Sequence, residues 1–137
     1  MKRYAVTYIT TFLAFVLIDA CWLTFVAGPQ YKATVGPLLL EQIRPGAAIA
    51  FYLLQILGMM VFVAPRKGAD QTLLQTALFG ALYGFFTYCT FDLTDFTVLK
   101  YWTAWRSICD IAWGTVLSAA AAFFGVGAAG LLLGRKA

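Results

Sequence analysis

Long apolar runs with very few charges make up most of the chain. Between residues 4 and 29 the only charged residue is Asp19, and residues 45–65, 71–91 and 111–134 contain none. Each run approaches or exceeds the roughly 20 residues that an α-helix needs to cross the hydrocarbon core of a bilayer. The pattern predicts four transmembrane helices in a single domain. We expect the helices at about 4–27, 46–64, 72–92 and 104–133, with outer loops at 28–45 and 93–103.

The composition favours a membrane protein over a soluble one. Hydrophobic residues make up 62% of the 137 residues and charged residues 12%, whereas soluble domains are roughly 45–50% apolar and about 25% charged. A membrane β-barrel is built from strands of ~10 residues in which polar and apolar positions alternate. Because the runs in this chain are continuous, the predicted fold class is an all-α integral membrane protein, a multi-pass four-helix bundle.

Basic residues indicate the orientation of the bundle. If the four helices alternate in direction, six basic residues adjoin the face that holds both termini and four adjoin the other face. Cytoplasmic loops carry the excess of Lys and Arg, so both termini are expected in the cytoplasm. The net charge of +4 is spread over two faces without a basic stripe, so we expect membrane lipid and not nucleic acid as a partner. The two groups are Lys2, Arg3, Arg66, Lys67, Arg135 and Lys136, and Lys32, Arg44, Lys100 and Arg106.

An aspartate followed three positions later by a tryptophan occurs in both the first and the last predicted helix. Asp19 precedes Trp22, and Asp110 precedes Trp113. An ionisable side chain inside a membrane span costs free energy, so by default it marks a functional site. At 1.5 Å per residue, Asp19 lies ~12 Å and Asp110 ~9 Å below the outer surface. The two carboxylates are therefore expected at similar depth in the outer leaflet.

Further charged residues are expected near this pair. Asp92 and Asp95 end the third predicted helix at the same surface, and Arg106 precedes Asp110 by one helical turn, which predicts an ion pair. A purely structural ion pair that joins the first and last helices through Asp19 is the alternative to a ligand or ion site. Exposure to water at a helix end is the alternative for Asp92 and Asp95. For the two tryptophans, the alternative is a role as interfacial anchors or packing residues.

The segment after the first helix is long for so small a bundle. Gly28 and Pro29 are expected to end the helix, and Tyr31 follows among polar residues that flank the apolar stretch 35–40. Such a segment could lie in the membrane interface and cover a cavity, or it could simply connect two helices.

Small residues recur every four positions on the last two predicted helices, and this spacing permits close approach of helices in lipid. We expect these two helices to pack together, which would bring Asp92 toward Asp110. Further glycines near the end of the last helix extend the small-residue surface and could instead serve a homodimer. The residues are Gly80 and Gly84 on the third helix, Gly114, Ser118 and Ala122 on the fourth, and the additional Gly125, Gly127 and Gly130.

Five short patterns are distributed over most of the chain. They are Asp19-x2-Trp22-Leu23, Phe51-Tyr52-Leu53-Leu54, Tyr88-x3-Asp92-Leu93-Thr94, Leu99-Lys100-x-Trp102 and Asp110-x-Ala112-Trp113-Gly114-Thr115-Val116-Leu117. In these patterns the chain resembles a family of small bacterial inner-membrane proteins that is catalogued as a domain of unknown function. The resemblance implies a four-helix inner-membrane protein with no established activity. The chain departs from the family at Thr103, where many members have proline, and at Asp95, where members commonly have asparagine. Asp95 is therefore the weakest acidic candidate.

The residue types present restrict the chemistry. The chain has no histidine, which excludes bis-histidine haem and histidine-ligated zinc, and it has no glycine-rich phosphate loop. No cofactor is predicted. A divalent cation held by the carboxylates of Asp19, Asp92 and Asp110 remains a hypothesis, because such ions prefer oxygen ligands.

Three functions are compatible with these residues. The first is binding or transport of a small amphiphilic or cationic ligand, with release coupled to protonation of Asp19 or Asp110. The second is a membrane enzyme that acts on a lipid or isoprenoid through a divalent cation, with Arg106 and Lys100 facing phosphate. The third is a structural or assembly partner of another membrane protein. The candidate ligand-binding residues are Asp19, Trp22, Tyr31, Asp92, Asp95, Lys100, Arg106, Asp110 and Trp113.

Overall fold

Four long helical stretches make up the computed structural model, which describes residues 2–66 and 68–134. Within these ranges the chain contains no β-strand, which confirms the all-α fold class. Of the basic residues used to predict the orientation, Lys67, Arg135 and Lys136 lie outside the described ranges. The elements are α1 (Lys2–Trp22), a π-helical segment (Leu23–Ala27), α2 (Gly28–Val35), a 3-10 turn (Gly36–Leu38), α3 (Pro45–Phe62), α4 (Leu73–Val98) and α5 (Ala104–Leu132).

Three of the helical stretches, Lys2–Leu38, Pro45–Phe62 and Ala104–Leu132, are long and apolar enough to cross a membrane. With 26 residues α4 has sufficient length, but polar residues such as Gln75 and Thr76 make it less apolar. Large apolar side chains are exposed on all four helices. Such surfaces suit contact with lipid and would be unusual in a soluble monomer.

The first helix does not end at Gly28 and Pro29, contrary to the expectation from the sequence. α1 continues through the π-helical segment into α2, and the N–H of Gly28 bonds to the carbonyl of Leu23, five residues back. Pro29 has no N–H, and in a regular α-helix its ring would clash with the carbonyl four residues earlier. The wider π turn before Pro29 relieves this conflict, so the chain remains helical.

α4 has a well-defined start and extends further than the sequence pattern predicted. Thr72 Oγ1 accepts a hydrogen bond from the backbone N–H of Gln75 (3.2 Å), and Gln75 Oε1 accepts one from the N–H of Thr72 (2.9 Å), which forms a capping box. The helix then continues to Val98 instead of ending near residue 92. Asp92 and Asp95 therefore lie inside a helix and not in a loop.

Small residues let α4 and α5 approach closely, which confirms the predicted contact between them. A Cβ atom added to Gly80 would lie 2.6 Å from the carbonyl oxygen of Ser118 and 2.8 Å from Cβ of Ala122. One turn further along, Gly84 lies against the backbone of Gly114 in the same way. The two helices therefore pack backbone to backbone, as small residues permit in lipid.

α1 packs on the other side of α5, and α3 packs mainly on α1. Thr10 Oγ1 of α1 donates a hydrogen bond to the carbonyl of Gly125 (2.7 Å), so this glycine makes a contact within the chain. The buried core between the helices includes Phe15, Ile56 and Leu117. We refer to the end of the bundle that holds residues 28–44 and 99–103 as the loop end. The opposite end, where α1 begins and α5 finishes, is the terminal end.

Candidate ligand-binding site

A cavity of about 500 Å³ lies at the loop end and is lined by residues of all five α-helices. Two acidic side chains, Asp19 and Asp110, line this carboxylate cavity together with seven aromatic side chains. Its size is within the range of small-molecule sites in proteins, which are also mostly apolar with a few polar groups. The aromatic residues are Trp22, Tyr31, Phe51, Tyr52, Tyr88, Phe91 and Trp113.

Asp19, in the last turn of α1, is held by neutral hydrogen-bond donors. The residue is only 5% exposed. Its Oδ2 accepts a hydrogen bond from the hydroxyl of Tyr52 on α3 (2.8 Å), and its Oδ1 accepts one from the indole N–H of Trp113 on α5 (3.3 Å). Within the described chain Asp19 forms no ion pair. Two hydrogen bonds therefore hold the Asp19 carboxylate in place, but no positively charged side chain among the described residues is paired with it.

The two tryptophans of the repeated pattern stack against each other. The ring centroids of Trp22 and Trp113 are 4.4 Å apart and the ring planes differ by 6°, a close parallel stack of the kind that adds to the packing energy of aromatic residues. Trp22 lies near Asp110, but its buried indole N–H forms no hydrogen bond within the described chain. The stack joins the last turn of α1 to α5 beside the cavity.

Asp110 is compensated by a positive charge, unlike Asp19. Arg106 lies one turn earlier on α5, and its Nη2 is 3.5 Å from Oδ2 of Asp110. The side chains of Arg106 and Asp110 are only 3% and 10% exposed, respectively. The i,i+4 ion pair predicted from the sequence thus forms, and it is buried.

The guanidinium group of Arg106 is enclosed by aromatic rings and an amide. It lies 3.6 Å from the ring centroid of Tyr31 and 4.9 Å from that of Trp102, distances at which a cation is attracted to the face of an aromatic ring. Nη1 donates a hydrogen bond to Oε1 of Gln30 (3.2 Å). Because Gln30 and Tyr31 belong to α2, these contacts fix α2 over the start of α5 and place Tyr31 in the cavity wall.

Asp92 lies behind the cavity wall and is not a lining residue. It is fully buried on α4, and neither carboxyl oxygen has a hydrogen-bond partner among the described residues. Its backbone carbonyl accepts a bond from Ser107 Oγ of α5 (3.4 Å). The packing of α4 on α5 thus brings Asp92 into the neighbourhood of Arg106 and Asp110, as the spacing of small residues predicted.

Four of the residues predicted from the sequence do not line the carboxylate cavity, namely Asp92, Asp95, Lys100 and Arg106. Asp95 is half-buried on α4, and Lys100 is exposed, with Nζ 5.4 Å from the ring centroid of Tyr101. Nor do the carboxylates cluster around a common point. Among the described residues, no group of three His, Cys, Asp or Glu side chains is arranged to hold a metal ion. The hypothesis of a cation shared by Asp19, Asp92 and Asp110 is therefore not borne out by the geometry.

Several lining residues were not identified from the sequence, chiefly Tyr52, Gln55 and Tyr88. Phe51, Tyr52 and Gln55, with Ala48, occupy one face of α3 at helical spacing and point into the cavity. The signal was available, because Tyr52 and Gln55 are the polar residues of an otherwise apolar helix. In an apolar helix, however, a tyrosine or glutamine is equally compatible with packing, so this signal alone does not assign either residue to a site.

The cavity reaches the lateral surface of the bundle between α3 and α4. Phe51 of α3 and Phe91 of α4 both line it, and they are 46% and 50% exposed, respectively. Exposed apolar surface on the side of the bundle therefore adjoins the cavity, in addition to the loop end.

Together, the apolar helices and the cavity with buried carboxylates define an α-helical membrane protein with an internal polar site. The chain matches the family described as "Predicted membrane protein (DUF2177)" over residues 4–127. It belongs to this family, whose function is unknown, and the resemblance noted in the sequence is confirmed. Neither a curated protein nor a solved structure matches the chain.

Proposed function

We propose that the protein binds an organic cation with an apolar body in the carboxylate cavity. The observation that carries this proposal is Asp19, a buried carboxylate that is held only by the neutral donors of Tyr52 and Trp113. A buried charge is costly unless an opposite charge compensates it. A cationic ligand would supply the missing charge at the cavity surface.

The aromatic wall supports a cation over a neutral ligand. Cations are attracted to the faces of Trp and Tyr rings, and cages of aromatic side chains recognise quaternary ammonium groups in other proteins. The protein already applies this principle to its own side chain, because Arg106 lies over the rings of Tyr31 and Trp102. The carboxylate cavity also combines aromatic rings with acidic groups. In this case a bound ligand would supply the cation.

The charges around the cavity favour a ligand with a single positive charge. Asp110 is paired with Arg106, so Asp19 is the lining carboxylate that the protein leaves uncompensated. An apolar ligand body is favoured because the remaining wall is mostly aromatic or aliphatic and borders the lipid near Phe51 and Phe91. A ligand that partitions into the membrane could enter by this lateral route.

The enzyme hypothesis receives less support. It requires a divalent cation on grouped carboxylates and basic side chains that face a phosphate group. The described residues provide no such metal group, and Arg106, which is ion-paired with Asp110, does not line the cavity. Lys100 is exposed and is not a lining residue of the cavity.

Binding of phenyltrimethylammonium to the full chain in lipid nanodiscs would test the proposal. Its neutral isostere, tert-butylbenzene, has the same shape without the charge. Because Trp22 and Trp113 line the cavity, occupancy should change the tryptophan fluorescence. We expect a saturable change with the cation and only unsaturable partitioning with the isostere. Asp19→Asn should weaken binding of the cation by about tenfold or more, as expected for loss of a buried charge partner.

Asp95→Asn is the matched control, because it removes a carboxylate at the same end of the bundle that does not line the cavity. It should leave the affinity within about twofold. Size-exclusion profiles would establish that each variant is folded. Equal affinities of the native chain and a folded Asp19→Asn variant would refute the proposal.

A further inference from the structure

A second cavity, of about 370 Å³, lies at the terminal end of the bundle. It is bordered by the start of α1, the connection between α3 and α4, and the last turns of α5. The bundle thus has a polar cavity at the end opposite to the carboxylate cavity. Nothing in the proposed cation binding uses this second cavity.

Two opposite charges line the terminal cavity. Arg3 comes from the first turn of α1 and Asp70 from the connection that precedes α4. They do not form an ion pair with each other, although both line the same space. A guanidinium and a carboxylate are therefore available on separate parts of one cavity wall.

The deeper wall of the terminal cavity is apolar. Met60 of α3 and Val126 of α5 contribute aliphatic surface, and the small residues Ala129 and Gly130 leave room beside them. Arg3 lies in the first turn of α1 and Asp70 lies in the connection that precedes α4, so the charges are at the terminal edge of the bundle and the apolar surface lies further inside. This is the order of groups along a phospholipid.

The rim of the cavity is held in place by Gln71, which also lines it. Its side-chain amide donates one hydrogen bond to the carbonyl of Val63 (2.8 Å) and one to Oγ1 of Thr76 (2.9 Å). These bonds tie the connection between α3 and α4 to both helices. The residue that directly follows Asp70 is therefore fixed to both helices.

We propose that the terminal cavity binds a phospholipid with a primary amine in its headgroup, with the phosphate at Arg3 and the ammonium at Asp70. A zwitterionic headgroup is complementary to both charges at once. An anionic headgroup without an amine would satisfy Arg3 but would bring only negative charge toward Asp70. The apolar wall favours a lipid over a soluble headgroup compound such as glycerophosphoethanolamine, since only the lipid has acyl chains that can contact it.

Native mass spectrometry of the full chain, purified in detergent, would test this site. The probes are phosphatidylethanolamine and phosphatidylglycerol with identical acyl chains, and glycerophosphoethanolamine, which has no acyl chains. We expect phosphatidylethanolamine to be retained about two- to fivefold more than phosphatidylglycerol, the range for partly exposed ion pairs. Glycerophosphoethanolamine should not be retained.

Three variants distinguish the contribution of Arg3 from that of Asp70. Arg3→Gln should lower retention of both lipids, whereas Asp70→Asn should abolish the preference for phosphatidylethanolamine by raising retention of phosphatidylglycerol. Arg66→Gln is the control, because Arg66 is an exposed basic residue of the same connection that does not line the cavity. It should leave both values unchanged. Equal retention of the two lipids by the native chain, the same losses in Arg66→Gln as in Arg3→Gln, or retention of glycerophosphoethanolamine would overturn the proposal.

Discussion

Asp19 and Asp110 begin the same four-residue pattern and line the same cavity, but their side chains have different kinds of partner. Asp19 accepts hydrogen bonds from Tyr52 and Trp113, which are neutral, whereas Asp110 is paired with Arg106. Both kinds of partner allow a carboxylate to be buried. Only the first kind leaves the carboxylate without a positively charged partner among the described residues. The comparison shows that two copies of the same Asp-x2-Trp spacing can produce one ion-paired carboxylate and one candidate ligand-binding carboxylate.

The two copies of the pattern are also linked to each other. Trp113 of the second copy donates to Asp19 of the first, and its ring stacks on Trp22. The reciprocal hydrogen bond, from Trp22 to Asp110, is not formed between these described residues. Asp110 instead has the positive charge of Arg106 at 3.5 Å. The difference between the two sites therefore follows from one basic residue placed a turn before Asp110.

Arg106→Met should have the largest effect, since it removes the positive charge that distinguishes the two sites. Asp110 would be left as an uncompensated buried charge, and α2 would lose its contacts through Gln30 and Tyr31. We expect the free energy of unfolding to fall by about 3–5 kcal/mol, as for other broken buried ion pairs. Equilibrium unfolding in mixed micelles, followed by circular dichroism, would measure the loss.

The double variant with Asp110→Asn tests the cause of that loss. It removes the uncompensated carboxylate as well, so part of the stability should return. Lys32→Met, which removes an exposed charge from α2, should change the free energy of unfolding by no more than about 0.5 kcal/mol. A double variant as unstable as Arg106→Met alone would mean that the Asp110 charge is not the reason for the loss.

Tyr52→Phe should have an intermediate effect at the other site. It removes the shorter of the two hydrogen bonds to Asp19 (2.8 Å) without changing the aromatic ring. Hydrogen bonds to charged groups contribute about 1.5–3 kcal/mol, so we expect a decrease of this size in the free energy of unfolding. Tyr83→Phe is the control, since the Tyr83 hydroxyl donates to the backbone carbonyl of Gln55 at 3.4 Å and does not contact a carboxylate. A loss in Tyr83→Phe as large as that in Tyr52→Phe would contradict the assigned role of Tyr52.

Asp95→Asn should have the smallest effect. Asp95 lies on α4 near the loop end, but it neither lines the cavity nor forms an ion pair within the described chain. We expect the free energy of unfolding to change by no more than about 0.5 kcal/mol, as for most substitutions outside a buried network. A change as large as that caused by Tyr52→Phe would place Asp95 in the same network as Asp19 and Asp110.

The sequence alone predicted the existence of four long helices, the contact between α4 and α5, and the Arg106–Asp110 pair, but not where the first and third of these helices end. These features depend on residues close together in the chain or on a regular spacing within one helix. Tyr52 was missed, although it belongs to the site, because a tyrosine in an apolar helix is equally compatible with packing. Lys100 was expected to face a phosphate group together with Arg106, but the structure leaves it exposed.

The course of the chain after Ala27 illustrates a different limit. The Gly28-Pro29 pair predicted the end of a helix, yet a π-helical segment accommodates the proline and α2 continues. This continuation places Gln30 and Tyr31 over Arg106. A local rule about proline could not foresee it, because contacts with α5, more than 70 residues later in the sequence, hold α2 in place.

By itself, the sequence determined that this protein is a bundle of membrane helices with carboxylates in its loop-end half. This is so because hydrocarbon tolerates only apolar runs with internally bonded backbone, and exceptions to that pattern are visible as single residues. Only the tertiary structure decided which partner each carboxylate received. Asp19 and Trp113 are 94 residues apart, and their hydrogen bond depends on how α1 and α5 pack, which no local pattern specifies.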